Sequence, residues 1–275
     1  MASPTTPSPS LPVRVAIPDS AIGFGFRAGP RGTHTSRTMM LAELRTLIAN
    51  VPSDATPADY VRAVRVDNLA GKRTASNREH TAQRLAELYA LDPHVTIFRV
   101  LRRLWDLDPD GQPLLALLCA LARDPLLRTT APALLALAPG DEFPRQAVAD
   151  ALRSDVGARL ADATVDKVVR NTASTWTQSG HLRGRVFKKR VRVQPTPVSV
   201  AYALVLGFLL GLRGPRLLRT LWTDVLDATE DALLARARDA KRLGVLDLQH
   251  AGDVTEVRFP ELLTRQELEL SRGTD

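Results

Sequence analysis

The stretch ADATVDKVVRNTASTWTQSGHLRGRVFKKRVRV, residues 161–193, decides the fold. In its first half apolar residues recur at intervals of three and four, which is typical of a helix with one buried stripe. The stripe consists of Val165, Val168, Val169, Thr172, Ala173 and Trp176. Asp162 or Thr164 can cap the start of this helix, and Gly180 can adopt the left-handed conformation that ends one. We therefore predict a helix over this half, with a polar and basic outer face.

Six cations within ten residues follow this helix, with valines and a phenylalanine between them. They are Arg183, Arg185, Lys188, Lys189, Arg190 and Arg192. Because no carboxylate lies nearby in sequence, we expect all six side chains to face water or a polyanion. Residues 161–193 hold eight basic and two acidic residues, a net charge of +6, whereas the whole chain carries +7. The positive charge of the protein is therefore local.

A capped helix followed by a basic, β-prone ribbon is the pattern of a winged-helix DNA-binding module. The helix fits the major groove and meets base edges, and the ribbon lies along the phosphates. In this interpretation Lys167, Arg170, Asn171 and Ser174 read the groove, and the six cations of the ribbon grip the backbone. The alternative is an ordinary packing helix followed by a solvated basic loop.

The composition predicts a mainly α fold. Hydrophobic residues make up 44% of the 275 residues and aromatic residues only 5%, so Leu, Ala and Val supply most of the apolar volume and favour helices. The only cysteine, Cys119, lies in an apolar run, which predicts a core thiol, no disulfide within the chain and a reducing cytoplasm. The expected architecture is a helical bundle with winged helix-turn-helix modules that carry short β-hairpins.

Four segments follow one another along the chain. Residues 1–36, rich in Pro, Ser, Thr and Gly, predict a disordered tail without a secretory signal. Residues 37–160 predict a helical N-terminal domain, and residues 161–223 a basic winged-helix-like module with a buried helix. Residues 224–275 predict a second helix-plus-wing module. With seven basic and twelve acidic residues, this last module is expected to pack on the first or to meet a protein rather than phosphate.

A second helix-turn-helix candidate lies within residues 57–91, where a glycine-bearing turn joins two helical patterns. Further candidate DNA contacts lie at this turn and at the start of the second helix, namely Lys72, Arg73 and Arg78. The uncharged stretch between Arg192 and Arg213 begins with proline and polar residues, so it predicts a buried helix rather than a membrane span.

Residues 68–91 resemble the BrxA-like proteins of bacterial BREX phage-defence systems, and residues 164–182 are similar to the C-terminal winged region of that family. The matching residues of the first segment are Asn68, Leu69, Lys72, Thr74, Ser76, Arg78, Leu85, Tyr89 and Leu91. The resemblance covers about residues 37–195, while the N-terminal tail and the module after Pro197 depart from it. It implies a helical, non-catalytic DNA-binding accessory protein that works beside other proteins of a defence system.

The sequence offers no catalytic or metal-binding motif. Its five histidines are scattered, and it contains neither GxSxG nor a P-loop, so we expect no metal, no cofactor and no enzymatic activity. His181, close to Ser179 and the basic run, is interpreted as a helix-end histidine near phosphate.

The patterns together predict a cytoplasmic, non-enzymatic protein that binds double-stranded DNA. RNA is less favoured, because no aromatic platform for stacking bases is evident. Other proteins of a defence system are expected partners, and a membrane is not. Two alternatives stay open, a helical interaction scaffold of a defence complex and a transcriptional regulator.

Overall fold

The computed structural model describes residues 16–252 and 254–271, and within them the chain is mainly helical. The helices are α1 (Asp19–Ile22), α2 (Leu41–Asn50), α3 (Pro57–Arg65), α4 (Ala75–Tyr89), α5 (Thr96–Trp105), α6 (Gln112–Arg123), α7 (Pro125–Leu135), α8 (Arg145–Val156), α9 (Asp162–Gln178), α10 (Pro197–Leu209), α11 (Leu221–Asp224), α12 (Glu230–Arg242) and α13 (Arg265–Leu270). The strands are β1 (Leu182–Arg183), β2 (Lys189–Arg190), β3 (Asp247–Ala251) and β4 (Val254–Arg258), which form two antiparallel hairpins. The predicted mainly α class is confirmed.

One hydrophobic core runs through the described part of the chain, and α6 and α10 are buried in it along most of their length. Every residue of α10 from Val198 to Leu209 is buried, which confirms the predicted buried helix. Cys119 is buried in α6, where burial raises the pKa of its thiol to about 11. Within the described residues, no helix combines the length and the apolar content needed to cross a membrane.

The expectation of a disordered tail over residues 1–36 is wrong for residues 16–36, while residues 1–15 lie outside the described part. Phe24 and Phe26 are buried, and Phe26 meets Trp222 edge to face with ring centroids 5.7 Å apart. Gly25 has φ +105°, and a Cβ there would lie 2.3 Å from Val95 Cγ1. Gly25 therefore allows close packing against the start of α5, whereas the composition of residues 1–36 had suggested flexibility.

The first hairpin belongs to a unit of three helices and three strand-like segments. Along the chain these are α7, residues 140–143, α8, α9, β1 and β2. Residues 140–143 pair with β2, because the Phe143 N–H donates to Lys188 O at 2.8 Å and the Arg190 N–H to Asp141 O at 2.8 Å. Helix α8 packs against both α7 and α9. The domain boundary drawn at residue 160 therefore falls inside a packed unit.

The ends of α9 differ in part from the prediction. Ala161 precedes the helix and gives no side-chain cap, so neither Asp162 nor Thr164 caps it. Asp162 instead forms an exposed ion pair with Arg153. Gly180, with φ +90°, takes the left-handed conformation just after the helix, as predicted.

A second unit repeats the order of the first. Helix α10 is followed by the 3₁₀ turn Gly214–Leu218, which packs against β4, and then by α11, α12, β3 and β4. The Thr229 hydroxyl accepts a hydrogen bond from the Ala232 N–H, and Gly244, with φ +72°, follows the end of α12. The predicted helix followed by a hairpin is confirmed in this unit.

A buried ion pair joins the two units. The guanidinium of Arg190 on β2 contacts Asp227, which lies between α11 and α12, and the two side chains are only 3% and 8% exposed. Asp227 Oδ2 also accepts a hydrogen bond of 3.0 Å from the Val193 N–H. The expectation that Arg190 faces water or a polyanion is therefore wrong, because a carboxylate 37 residues away in sequence neutralises it inside the protein.

Asp227→Asn should lower the free energy of unfolding by about 3 kcal/mol, because it leaves a buried guanidinium without its carboxylate. Asparagine tolerates the left-handed backbone of this position, φ +56°, and keeps the acceptor for Val193. Urea denaturation followed by circular dichroism measures the change.

The matched control is Glu230→Gln in the exposed pair with Arg219, whose side chains are 44% and 72% exposed. Its cost should stay below about 1 kcal/mol. Equal losses in the two variants would show that the Arg190–Asp227 pair does not hold the units together.

Candidate nucleic-acid interface

The outward side of α9 presents a polar stripe. Lys167 and Arg170 are exposed, and Ser174 and Thr177 are half-buried. Their intervals of three and four residues place them on one side of the helix, because 3.6 residues complete a turn. Asp166 is also exposed on this helix. The two cations of the stripe, Lys167 and Arg170, therefore lie toward the middle of α9, and its C-terminal half contributes uncharged hydroxyl groups.

The first hairpin continues this stripe. The Lys188 ammonium donates to the Thr177 hydroxyl at 2.7 Å, which fixes the hairpin against the last turn of α9. Partial burial lowers the pKa of Lys188. In the β1–β2 register, Leu182 pairs with Arg190 and Arg183 with Lys189. Leu182 and Arg190 are buried and Arg183 and Lys189 are exposed, so one side of the hairpin anchors it and the other meets solvent.

We call the set of polar and cationic side chains on α9, on this hairpin and just after it the basic face. It consists of Lys167, Arg170, Ser174, Arg183, Arg185, Lys188, Lys189 and Arg192. Apart from Ser174 and Lys188, these side chains are exposed cations, and none of the six forms an ion pair with any described residue. A cluster of uncompensated cations creates a positive potential that attracts polyanions.

Asn171 was predicted to read bases, but it is half-buried and its side chain is bound within the protein. Its side-chain amide donates to the backbone carbonyl of His34 at 2.8 Å, so it holds the N-terminal segment. Arg190, likewise predicted as a phosphate contact, is the buried partner of Asp227. His181 is fully buried, so the interpretation as a histidine beside phosphate is also wrong.

A buried polar chain fixes the N-terminal segment to α9, and sequence reasoning missed it. His34 Nδ1 lies 2.7 Å from Asp124 Oδ2, and His34 Nε2 lies 2.8 Å from Thr175 Oγ1. Burial opposes ionisation of Asp124, but the charge and hydrogen bonds of His34 and nearby backbone N–H groups outweigh it and lower the pKa of Asp124. The order carboxylate, histidine, hydroxyl is that of a catalytic triad. All three side chains are buried, however, and the Thr175 hydroxyl also accepts from the Met39 N–H. The arrangement is therefore structural.

The structure does not bring Lys72, Arg73 and Arg78 onto the basic face. Lys72 forms an ion pair of 2.7 Å with Glu43 on α2, Arg73 is exposed, and Arg78 is half-buried on α4. The 3₁₀ turn Thr33–Thr35 contacts both α4 and α9 and so lies between them. The DNA-contact role of these three residues stays a prediction.

The comparisons with known proteins add no family. No family model matches the chain, and no curated protein matches it. Within residues 16–252 and 254–271, no group of three or more His, Cys, Asp and Glu side chains is placed to hold a metal ion. The functional argument therefore rests on the basic face and its surroundings.

His181 lies beneath the basic face, at the junction of the two units. Its Nε2 lies 2.7 Å from the Val225 carbonyl, which can only accept, so Nε2 carries a proton, and its Nδ1 lies 2.9 Å from the Ser179 hydroxyl. The ring also meets Trp176 edge to face at 5.0 Å. Burial lowers the pKa of His181 to about 4, although the Val225 hydrogen bond and Asp227 act in the opposite direction.

His181→Gln should weaken the loss of stability on acidification. In the unfolded chain this histidine takes up a proton near its ordinary pKa of 6.5, whereas in the folded protein it stays neutral down to about pH 4. Its contribution to the free energy of unfolding is therefore present above about pH 6.5. As the pH falls to 4, an amount on the order of 3 kcal/mol is lost. The glutamine variant keeps a donor for Val225 and should lack this part of the pH dependence.

Urea denaturation at several pH values between 4 and 7.5 measures this dependence. The control is His94→Gln, because His94 is exposed and its substitution should leave the profile unchanged. A His181→Gln profile parallel to that of the unchanged protein would contradict the assignment of a neutral, buried imidazole.

Proposed function

We propose that this protein binds duplex DNA through the basic face and catalyses no reaction. The observation that carries the proposal is the set of six exposed cations, free of ion pairs with described residues, on one helix and one hairpin. The Lys188–Thr177 hydrogen bond fixes the helix and the hairpin relative to each other. DNA binding draws most of its affinity from such cations, because each phosphate contact releases condensed counterions.

The order of the elements supports α9 as the helix that enters the groove. A winged-helix domain has the order helix, strand, two helices and a hairpin, and its first strand pairs with the second strand of the hairpin. Helix α7, residues 140–143, α8, α9 and the β1–β2 hairpin follow this order. In helix-turn-helix proteins the second helix of the pair enters the major groove, and we assign that role to α9.

The basic face divides into base-reading and phosphate-binding parts. Arg170 and Ser174 lie on the same side of α9 as Thr177, which contacts the hairpin. We assign them to base edges, where an arginine recognises guanine with two hydrogen bonds. We assign the exposed cations of the hairpin and of the residues after it to the phosphates of the DNA backbone. Lys167 lies next to the exposed carboxylate of Asp166, which repels phosphate, so we place the C-terminal half of α9 deepest in the groove.

The second unit lacks the charge for the same role. On α12, Arg236 and Arg242 both pair with Asp239, and Lys241 donates to the Leu248 carbonyl at 3.0 Å. Residues 224–275 carry a net charge of −5, with seven basic and twelve acidic residues. We propose that this unit faces a protein. The resemblance to BREX accessory proteins remains a prediction, and it suggests that the partner of this unit is a protein of the same defence system.

Replacing Arg183, Arg185 and Lys189 together by alanine should weaken binding to duplex DNA and make its salt dependence shallower. If each cation contacts one phosphate, the slope of log K against log salt should fall in magnitude by about 3. Fluorescence anisotropy with a labelled random-sequence duplex at several salt concentrations measures the slope. Arg190 is left intact, because its loss would disturb the buried ion pair.

The control replaces Arg236, Arg238 and Arg242 of α12 by alanine, which removes the same formal charge from the second unit. This variant should keep the slope of the unchanged protein. The assignment of DNA binding to the basic face would be contradicted if the unchanged protein did not bind at low salt, or if both triple variants lost equal affinity for the duplex.

A further inference from the structure

The tip of the first hairpin is apolar, although it is surrounded by cations. Val186 and Phe187 are 80% and 67% exposed. Arg183 and Arg185 precede them, and Lys188 and Lys189 follow. Two adjacent large apolar side chains that are exposed at the end of a hairpin are unfavourable in water, because their apolar surface stays hydrated instead of being buried. The tip is therefore suited to a polyanion that also offers an apolar slot.

The backbone fixes the shape of this tip. Residues 140–143 pair with β2, and the hydrogen bond from the Phe143 N–H to Lys188 O lies next to the tip. Gly184 has φ +118°, and a Cβ there would lie 2.0 Å from the Phe187 carbonyl oxygen. Only glycine fits this close approach, so the turn is tight and Phe187 has a defined position.

We propose that Phe187, with Val186 beside it, inserts as a wedge between neighbouring base pairs and bends the duplex. This inference rests on the proposed DNA binding and adds the way in which the hairpin engages the duplex. Stacked bases provide the apolar slot and the flanking phosphates provide the charge. Proteins that kink DNA in the minor groove use phenylalanine and other apolar side chains in this way.

An anionic membrane surface offers similar chemistry, but the structure favours DNA. Interfacial membrane binding uses an amphipathic helix with a long apolar face, whereas this tip exposes only two apolar residues. The tip is also fixed to α9 through the Lys188–Thr177 hydrogen bond, so an adjoining polar and basic helix face accompanies it. A duplex can contact the helix and the tip together through adjacent grooves.

The test uses the full chain and two short duplexes, one intact and one with a single-base bulge that weakens stacking at its centre. The unchanged protein should bring the ends of the intact duplex closer, as measured by energy transfer between terminal dyes. It should also bind the bulged duplex on the order of tenfold more tightly, since part of the unstacking cost is already met. Phe187→Ala should lose both effects and keep the salt slope, whereas Phe187→Trp should keep both.

Leu243→Ala is the matched control, because Leu243 is 62% exposed at the end of α12 in the second unit. It should leave bending and the preference for the bulge unchanged. If Phe187→Ala bends the duplex as the unchanged protein does, the wedge is wrong while DNA binding by the basic face stands. Failure of the unchanged protein to bind any duplex in the salt titration would remove both proposals.

Vesicles of phosphatidylserine and phosphatidylcholine form the last arm of the test. The unchanged protein and Phe187→Ala should sediment with them equally. If Phe187→Ala loses vesicle binding but bends the duplex normally, the tip serves a membrane surface and the wedge is overturned.

Discussion

The buried ion pair between Arg190 and Asp227 is the constraint on which the arrangement of the two helix-and-hairpin units depends. Arg190 lies on the strand that also carries the exposed Lys189. Because successive side chains of a strand point to opposite sides, burial of Arg190 turns Lys189 outward. Asp227 also accepts a hydrogen bond from Val193, just beyond the hairpin. One carboxylate of the acidic unit therefore fixes which side of the basic hairpin meets solvent.

The N-terminal segment adds a second set of constraints beneath the basic face. The chain of Asp124, His34 and Thr175 ties it to α9, and Phe26 reaches Trp222 of the second unit. If α9 enters the DNA groove as proposed, these contacts reduce the conformational freedom that the helix loses on binding, which favours affinity. The outward side of α9 carries few of these contacts, so the constraints hold the helix while leaving its cationic stripe accessible.

Local patterns in the sequence predicted the elements of the fold well. The apolar periodicity predicted α9, and Gly180 marked its end. These features depend on interactions within a few residues, where spacing and side-chain chemistry decide the conformation. The uncharged stretch that became α10 was equally readable, because its apolar part has the length of a core helix.

The sequence failed where a partner lies far along the chain. Asn171 meets a backbone carbonyl 137 residues away, and Arg190 meets a carboxylate 37 residues away, so neither contact leaves a local pattern. Glycine and proline in residues 16–36 suggested disorder, yet Phe24 and Phe26 are buried and Gly25 between them allows a close approach to Val95. The alternation of side chains along a strand gave a weak indication of the burial of Arg190, since it places Arg190 and its neighbour Lys189 on opposite sides of the hairpin. Without knowledge of Asp227, charge alone argued against burial.

Hydrogen–deuterium exchange of the full chain with and without duplex DNA tests the central claim most directly. DNA bound to the basic face should slow exchange in peptides that cover α9 and the β1–β2 hairpin, and should leave α12 and the β3–β4 hairpin unchanged. Protection confined to α12 and the second hairpin, or no protection anywhere at low salt, would contradict the account.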